Sequence, residues 1–280
     1  MSTNLIVARG GVEFVPPISL AFWRWLFVFL ILIFFNFLVL KRDFSKFNFK
    51  KEYFKLFVLG ATGCGICGAF PFIAGQTTTV INMGIIYTSS PIFIILISCL
   101  FFGEKFNSIK ILGLLLCLVG VSIIITKGNL ELLLNFKFNP GDIWILGAAI
   151  GWAIYSIYLY NWKTNLTDFS RFTLISFFGA ISLFPFYLFE EINIASTIFN
   201  TNFFKWTLFA SISPGIIAFS LYTITQRYLG ATVTGFTLYL YTIYGSFFGI
   251  IFFGETLEYF HYIGALSVFI GIYLVKKKTK

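Results

Sequence analysis

The sequence predicts an all-α polytopic membrane bundle built as two inverted five-helix repeats, with nine full spans plus a partial first helix. Three observations lead to it. Hydrophobic residues make up 58% of the 280 and charged residues 11%, too little charge to clothe a water-facing surface. Apolar runs recur that each reach the ~18–20 residues needed to cross hydrocarbon as a helix, and they are apolar on every side, whereas barrel strands alternate and are about ten residues long. The chain also repeats itself. Phe101-Phe102-Gly103-Glu104 returns as Phe252-Phe253-Gly254-Glu255, Gly113 and Gly120 return as Gly264 and Gly271, and Gly84 as Gly235, always 151 residues on.

In chain order, Met1 to Arg9 is apolar but extends only ~14 Å as a helix, less than half the bilayer core, and is read as the second half of a first spanning helix. It is too short for a secretory signal and lacks a cationic leader. The full spans follow at 18–40, 53–75, 78–102, 107–126, 141–162, 169–189, 205–226, 231–253 and 259–275. These group as a first repeat over 1–126, an external linker over 127–140, a second repeat over 141–275, and a basic tail over 276–280 expected in the cytoplasm.

The net charge of +9 raises nucleic acid as a partner, and the placement of the cations argues against it. Fifteen of the 20 basic residues fall on one face, in the loop Lys41, Arg42, Lys46, Lys50, Lys51, Lys55, then Lys105 and Lys110, Lys163 and Arg171, Arg227, and the tail. The positive-inside rule makes that face cytoplasmic. Five crossings per repeat is an odd number, so the second copy must enter the membrane upside down, and equivalent loops should carry opposite decoration. They do: Lys105 and Lys110 follow the first Gly-Glu turn, whereas Glu258 and no lysine or arginine follows the second; the lysine-rich 41–55 segment corresponds to 190–204, with Glu190 and Glu191 and no basic residue.

The stretch Val15-Pro16-Pro17-Ile18-Ser19-Leu20-Ala21-Phe22-Trp23-Arg24-Trp25, the Tyr87-Thr88-Ser89-Ser90-Pro91 segment, and Gly103-Glu104 with its trailing glycines together resemble the drug/metabolite transporter superfamily, specifically its EamA-type ten-helix members. The resemblance covers nearly the whole chain, twice over. It implies a ten-helix carrier of small organic solutes in a bacterial plasma membrane, with the fifth and tenth helices as peripheral supports. It also implies a complete first helix, of which this chain would hold only the end; a displaced start and a carrier lacking half a helix are both open readings.

Charge inside a membrane costs at least ~2.5 kcal/mol, so Arg24 is the clearest candidate, as a gate or anchoring charge. It either snorkels to the outer interface between Trp23 and Trp25 of an aromatic belt, or pairs with a carboxylate or a helix carbonyl. All eleven acidic residues, from Glu13 to Glu258, lie in loops or at helix ends, which removes the mid-membrane carboxylate of a proton- or sodium-coupled carrier. Glu104 and Glu255 read as helix-end features. Corresponding helix interruptions point to a binding site in an inverted-repeat carrier, and the 151 offset pairs Thr62-Gly63 with Ser213-Pro214. Around them, Gln76, Tyr87, Trp152, Tyr155, Gln226 and Tyr241 are expected to complete a substrate cavity with Thr62 and Ser213, because such rings supply an apolar face and a hydrogen bond. Each of these is also readable as packing or, for the rings, as an interface residue.

Gly60, Cys64 and Gly68, with Ala61, Gly65 and Ala69, give the third helix small faces for close packing. The Cys64–Cys67 pair has the spacing of a redox or metal motif but no further ligands near it, and the only histidine is His261, so no metal and no cofactor is expected. The expected partners are a small-molecule substrate, by preference an amino acid or related zwitterion suited to an aromatic, uncharged cavity, and the lipid bilayer; monomer and homodimer stay open. The first helix and helices three, four, six, eight and nine should line the route. A membrane enzyme is disfavoured, since there is no Walker loop, metal cluster or paired intramembrane carboxylate. A non-transporting scaffold is the remaining alternative.

Overall fold

The structure, a computed structural model, describes residues 3–44, 49–78, 80–104, 107–129, 131–134, 138–240, 242–244 and 258–276. Among them every regular element is helical. Seven helical runs are long and apolar enough to cross a membrane, and Tyr259–Val275 is a shorter apolar helix. Apolar side chains cover the outside as well as the core: Phe34, Phe35 and Leu38 are 78, 81 and 79% exposed, a surface suited to lipid and not to water.

The helices are α1 (Thr3–Gly10), α2 (Pro17–Phe44), α3 (Phe49–Leu59), α4 (Cys67–Ala74), α5 (Val80–Tyr87), α6 (Ser90–Phe102), α7 (Ser108–Ile125), the short α8 (Glu131–Leu134), α9 (Pro140–Asn161), α10 (Asp168–Asn193), α11 (Thr201–Ala210), α12 (Ala218–Phe236) and α13 (Tyr259–Lys276). The third predicted span is one rod, α3 and α4 joined through a π-helical segment, Gly60–Ile66. The eighth is built the same way, α11 and α12 joined through Ser211–Ile217. These two π segments lie 151 residues apart at both ends. The fourth span breaks at Thr88 and Ser89, whose hydroxyls bond the Ile85 and Ile86 carbonyls at 2.7 and 2.6 Å. The same offset carries the break to 239 and 240, and Thr237–Tyr239 winds as a 3₁₀ turn just before and into that position. The eighth and ninth predicted spans run together, turning only at Gly230, where φ is 81°. The ninth is described as far as 244.

The first Gly-Glu signature has a local cause. α6 ends in a left-handed cap at Gly103, φ 65°, a conformation that strains any residue with a Cβ. Its following Glu104 accepts from the Thr232 hydroxyl and pairs with Lys110 at 3.5 Å, tying the turn to the start of the ninth span. The second signature, Gly254-Glu255, lies outside the described residues.

Two helix pairs hold the bundle together, both antiparallel. α2 packs along α10, and each end is closed by a carboxylate. Glu190, near the end of α10 and 2% exposed, accepts from the Ile18 and Ser19 amides at 3.1 and 2.6 Å and from the Ser19 hydroxyl at 2.7 Å. Asp43, at the end of α2, accepts from the Thr167 amide at 3.0 Å and its hydroxyl at 2.8 Å, just before α10. Each acid fills orphan donors at the other helix's positive end. α7 packs along α13 as a separate core with Cys117, Val121 and Val268. A methyl added at Gly113 would lie 2.7 Å from the Gly271 carbonyl oxygen, and one at Gly120 would lie 2.6 Å from that of Gly264, so these backbones touch. The seven-residue glycine spacing seen in each half thus has the other half as its partner.

Replacing Glu190 by Ala strands two amides and a hydroxyl away from water, each worth about 1–3 kcal/mol. A loss of at least ~2 kcal/mol is expected in detergent unfolding, against about 0.5 kcal/mol or less for exposed Glu131→Ala.

Candidate functional site

Arg24 sits two turns into α2 and is 3% exposed, so it does not snorkel to an interface; Trp25 is fully buried beside it and not in a belt. Its guanidinium donates to the Asn4 side-chain oxygen at 2.9 Å and to the Pro214 carbonyl at 3.0 Å. Its Cζ lies 4.8 Å from the centre of the Trp25 ring. Of the two sequence-based partners, a carboxylate or a helix carbonyl, the carbonyl is the one present.

That carbonyl is available for a reason written in the π turn. Ala218, which in an α-helix would bond Pro214 four residues back, donates instead to Gly215 and Ser213. Proline at 214 has no amide to give and disturbs the preceding turn, favouring the wider winding. In the other half Cys67 likewise reaches back five residues, to Thr62, passing over Gly63. Gly63 and Pro214 are 151 residues apart, so the predicted interruptions and the two skipped positions coincide. Ser211 adds a bond to the Arg24 carbonyl at 3.0 Å, and Ser213 one to the Thr3 hydroxyl at 3.0 Å, fastening α1, α2 and the second π segment to one another.

Beside Arg24 lies a cavity of about 80 Å³, room for a handful of waters or the polar head of a small solute. Its walls include Asn4, Arg24, Trp25, Tyr87, Trp152 and Phe219, with Pro71 and Pro214 from the third and eighth spans. Phe219 organises the aromatic side, with ring centres 4.8 Å from Trp25 and 5.4 Å from Trp152, edge to face. The lining is therefore aromatic as expected, but it is not uncharged. The second helix lines it too, in addition to those expected, and no described residue of the ninth does.

Farther along α9 side chains from α9 and α12 close against one another. Ser156 and Tyr222 share a hydrogen bond of 2.6 Å, and the Gln226 amide donates to the Ser156 carbonyl at 3.0 Å and its hydroxyl at 2.7 Å. Tyr155 is fully buried there, its ring filling the space a Gly63 side chain would need, since a methyl at Gly63 would lie 2.3 Å from it. Beyond this septum opens a second cavity of about 260 Å³, lined by Lys163, Arg171, Arg227, Asp168 and Gln226 among others. There Arg171 donates to the Leu159 and Trp162 carbonyls at 2.8 Å each, closing the end of α9, and Arg227 pairs with Asp168.

Of the residues singled out from sequence, Arg24, Tyr87 and Trp152 line the first cavity. Tyr155 and Gln226 belong to the septum. Ser213 flanks the cavity but spends its hydroxyl on Thr3, and Thr62 bonds its own helix at the Val58 carbonyl, 2.7 Å. Gln76 is exposed just past α4. Tyr241 lies outside the described residues. Asn4, Trp25, Pro71 and Phe219 were not singled out as lining; only the proline carried a local signal, as a helix breaker inside an apolar span. Cys67 lines the cavity and donates to the Ala148 carbonyl at 3.3 Å, while Cys64 packs behind it against Gly179. Among the described residues no cluster of three or more His, Cys, Asp or Glu side chains could hold a metal.

The sequence profile of a family described as the EamA-like transporter family matches residues 1–126 and 139–276. An "Uncharacterized transporter" of Archaeoglobus fulgidus is 28% identical over 276 residues, covering 98% of this chain and 93% of its own length. "Uncharacterized transporter YetK" of Bacillus subtilis is 24% identical, covering 100% of this chain and 84% of its own length. A solved crystal structure with 17% identity superimposes with a TM-score of 0.76 over 98% of this chain and 91% of its own, a likeness of fold alone.

If the first cavity is open to small reagents, single-cysteine versions should differ sharply. A membrane-permeant methanethiosulfonate is expected to modify the version retaining Cys67 at least about tenfold faster than those retaining Cys64 or Cys117, which are fully buried and inert by burial.

Proposed function

The chain belongs to the EamA-like transporter family and is a multi-pass membrane transporter of small molecules, not an enzyme, and on that premise we propose that it moves a small organic metabolite by alternating access between two inverted five-helix halves. One observation carries the reading. Two cavities lie at different levels of α9, the first reached by Ile145 and Trp152 and the second by Leu159 and Tyr160, with Tyr155, Ser156, Tyr222 and Gln226 as a septum between them. A carrier caught in one of its two states has this arrangement: a site open on one side and a closed passage toward the other. The paired π segments supply a place on each half where a helix can change its winding, and at Pro214 the carbonyl passed over is bonded by Arg24.

The inverted relationship is supported by the contacts of α7 with α13 and of α2 with α10. Gly113 meets Gly271 and Gly120 meets Gly264, so residues 151 apart exchange roles across an axis between the helices. The two repeats are 1–126 and 141–275, joined by 127–140. By the placement of cations, the second cavity and the 276–280 tail face the cytoplasm, and the first cavity faces the outside of a bacterial plasma membrane. An amino acid or related zwitterion is the preferred cargo, on family grounds and because Trp25, Tyr87, Trp152 and Phe219 offer ring faces for an organic tail. The described acidic residues serve helix ends and turns, as Glu190 and Asp43 do, so the driving force is assigned to the cargo's own gradient.

Proteoliposomes holding the full chain test this. Saturable uptake of at least one amino acid is expected, together with counterflow against preloaded cargo, and its final level should be the same with and without an imposed pH gradient. Absence of saturable uptake across a broad metabolite panel would refute the carrier reading and favour a scaffold; accumulation that follows the pH gradient would refute the energy source.

A further inference from the structure

We infer that Arg24 is the anchor for a carboxylate of the cargo, so that the cavity recognises the acid group and not the amino group. The inference rests on the carrier reading above and concerns what its site selects. A guanidinium has five N–H donors, and in Arg24 the Asn4 oxygen and the Pro214 carbonyl take two of them. The Nε group is buried and meets no acceptor, and Arg24 lines the cavity; the indole Nε1 of Trp25, also without an acceptor, lies against Gly68. A buried donor without an acceptor is costly in a finished structure, and the oxygen of a bound ligand is one group that satisfies it. Charge points the same way. Among the described residues no Asp or Glu lines the cavity, and the ion pairs Arg42–Asp43, Lys110–Glu104 and Arg227–Asp168 lie elsewhere. A fixed cation in low dielectric without a counter-charge attracts an anion strongly.

The same inventory speaks against recognition of an ammonium group. It would need acceptors, and the Asn4 oxygen and the Pro214 carbonyl each already accept from Arg24, whose charge repels a second cation held beside it. An amino group on the cargo would lie beside the like charge of Arg24, with ring faces and the Tyr87 side chain for contact, a poorer match than the charged, planar, two-point contact a carboxylate makes. Arg24 is moreover held in place before any ligand arrives, because the skipped carbonyl of the π turn, the Asn4 side chain and the Trp25 ring fix its fork, so little side-chain freedom is lost on binding. The deaminated acid should therefore bind about as well as the amino acid, and the decarboxylated amine far worse.

The test measures binding to the purified full chain by calorimetry for three sets of probes: leucine, 4-methylpentanoate and 3-methylbutylamine; phenylalanine, 3-phenylpropionate and phenethylamine; and alanine, propionate and ethylamine. In at least one set the two carboxylates are expected to bind within about threefold of each other and at least tenfold tighter than the amine. Arg24→Gln should lose that binding by tenfold or more, and Arg24→Lys, which keeps the charge but not the fork, should retain part of it. Because misfolding would also abolish binding in Arg24→Gln, Asn4→Asp provides the second arm. It sets a resident carboxylate beside an intact Arg24 and should abolish carboxylate binding while the protein elutes as a single species. Amines binding as tightly as acids, acids binding Arg24→Gln or Asn4→Asp unchanged, or no acid binding the wild type would each overturn the inference. Saturable transport of an uncharged or cationic cargo would overturn it while leaving the carrier reading standing.

Discussion

Inside hydrocarbon no water is available to a peptide group that leaves its helix, and every break in a spanning helix must be bonded from within the chain. The fold described here is organised by that constraint. Its third and eighth spans widen into π turns at Gly60–Ile66 and Ser211–Ile217, and each turn passes over a residue that an α-helix would have bonded. At Pro214 the released carbonyl is taken by Arg24, a residue which itself has no reason to be in a membrane unless something there needs its donors. The two anomalies answer each other, and the cavity is the space left beside their contact.

The rest of the bundle keeps that contact in register. α2 carries Arg24 and is latched to α10 at both ends by Glu190 and Asp43, each satisfying donors that begin the neighbouring helix. α7 and α13 stand apart as a second core, where four glycines let two backbones touch. Glycines and carboxylates thus do here what a hydrophobic core does in a water-soluble protein, because in lipid apolar area alone gives helices little preference for one another. The arrangement also places the small residues of the third span where they are needed: a methyl at Gly60 would lie 2.6 Å from the Gly179 amide nitrogen, and Gly63 leaves room for the Tyr155 ring of the septum.

Much of this was legible in the chain. The 151-residue offset, the apolar spans and the coincidence of Thr62-Gly63 with Ser213-Pro214 gave the architecture and the positions of both interruptions, because proline, glycine and span length act through the backbone and leave a mark at a known address. Arg24 was visible as the one cation deep in a span. What could not be read was direction. Thr62 lies on the right segment yet turns its hydroxyl back to Val58, and Gln226 turns its amide to Ser156 and closes the route instead of lining the site. Trp25 looked like a belt residue because a tryptophan near a helix start is common at interfaces; the neighbouring α12, which supplies Phe219 to its ring, decides otherwise. Which face of an all-apolar helix points inward depends on its neighbours, and a sequence without polar faces carries no periodic signal for it.

An inverted pair of repeats requires two halves that enter the membrane in opposite senses, and the sidedness of the loops tests it. Cysteines placed at Asn107, where α7 begins, and at Glu258, where α13 begins, would be labelled with an impermeant maleimide in sealed vesicles of known orientation. The account predicts labelling from opposite faces, Asn107→Cys from the cytoplasmic side and Glu258→Cys from the external side; both reacting from one face would contradict it.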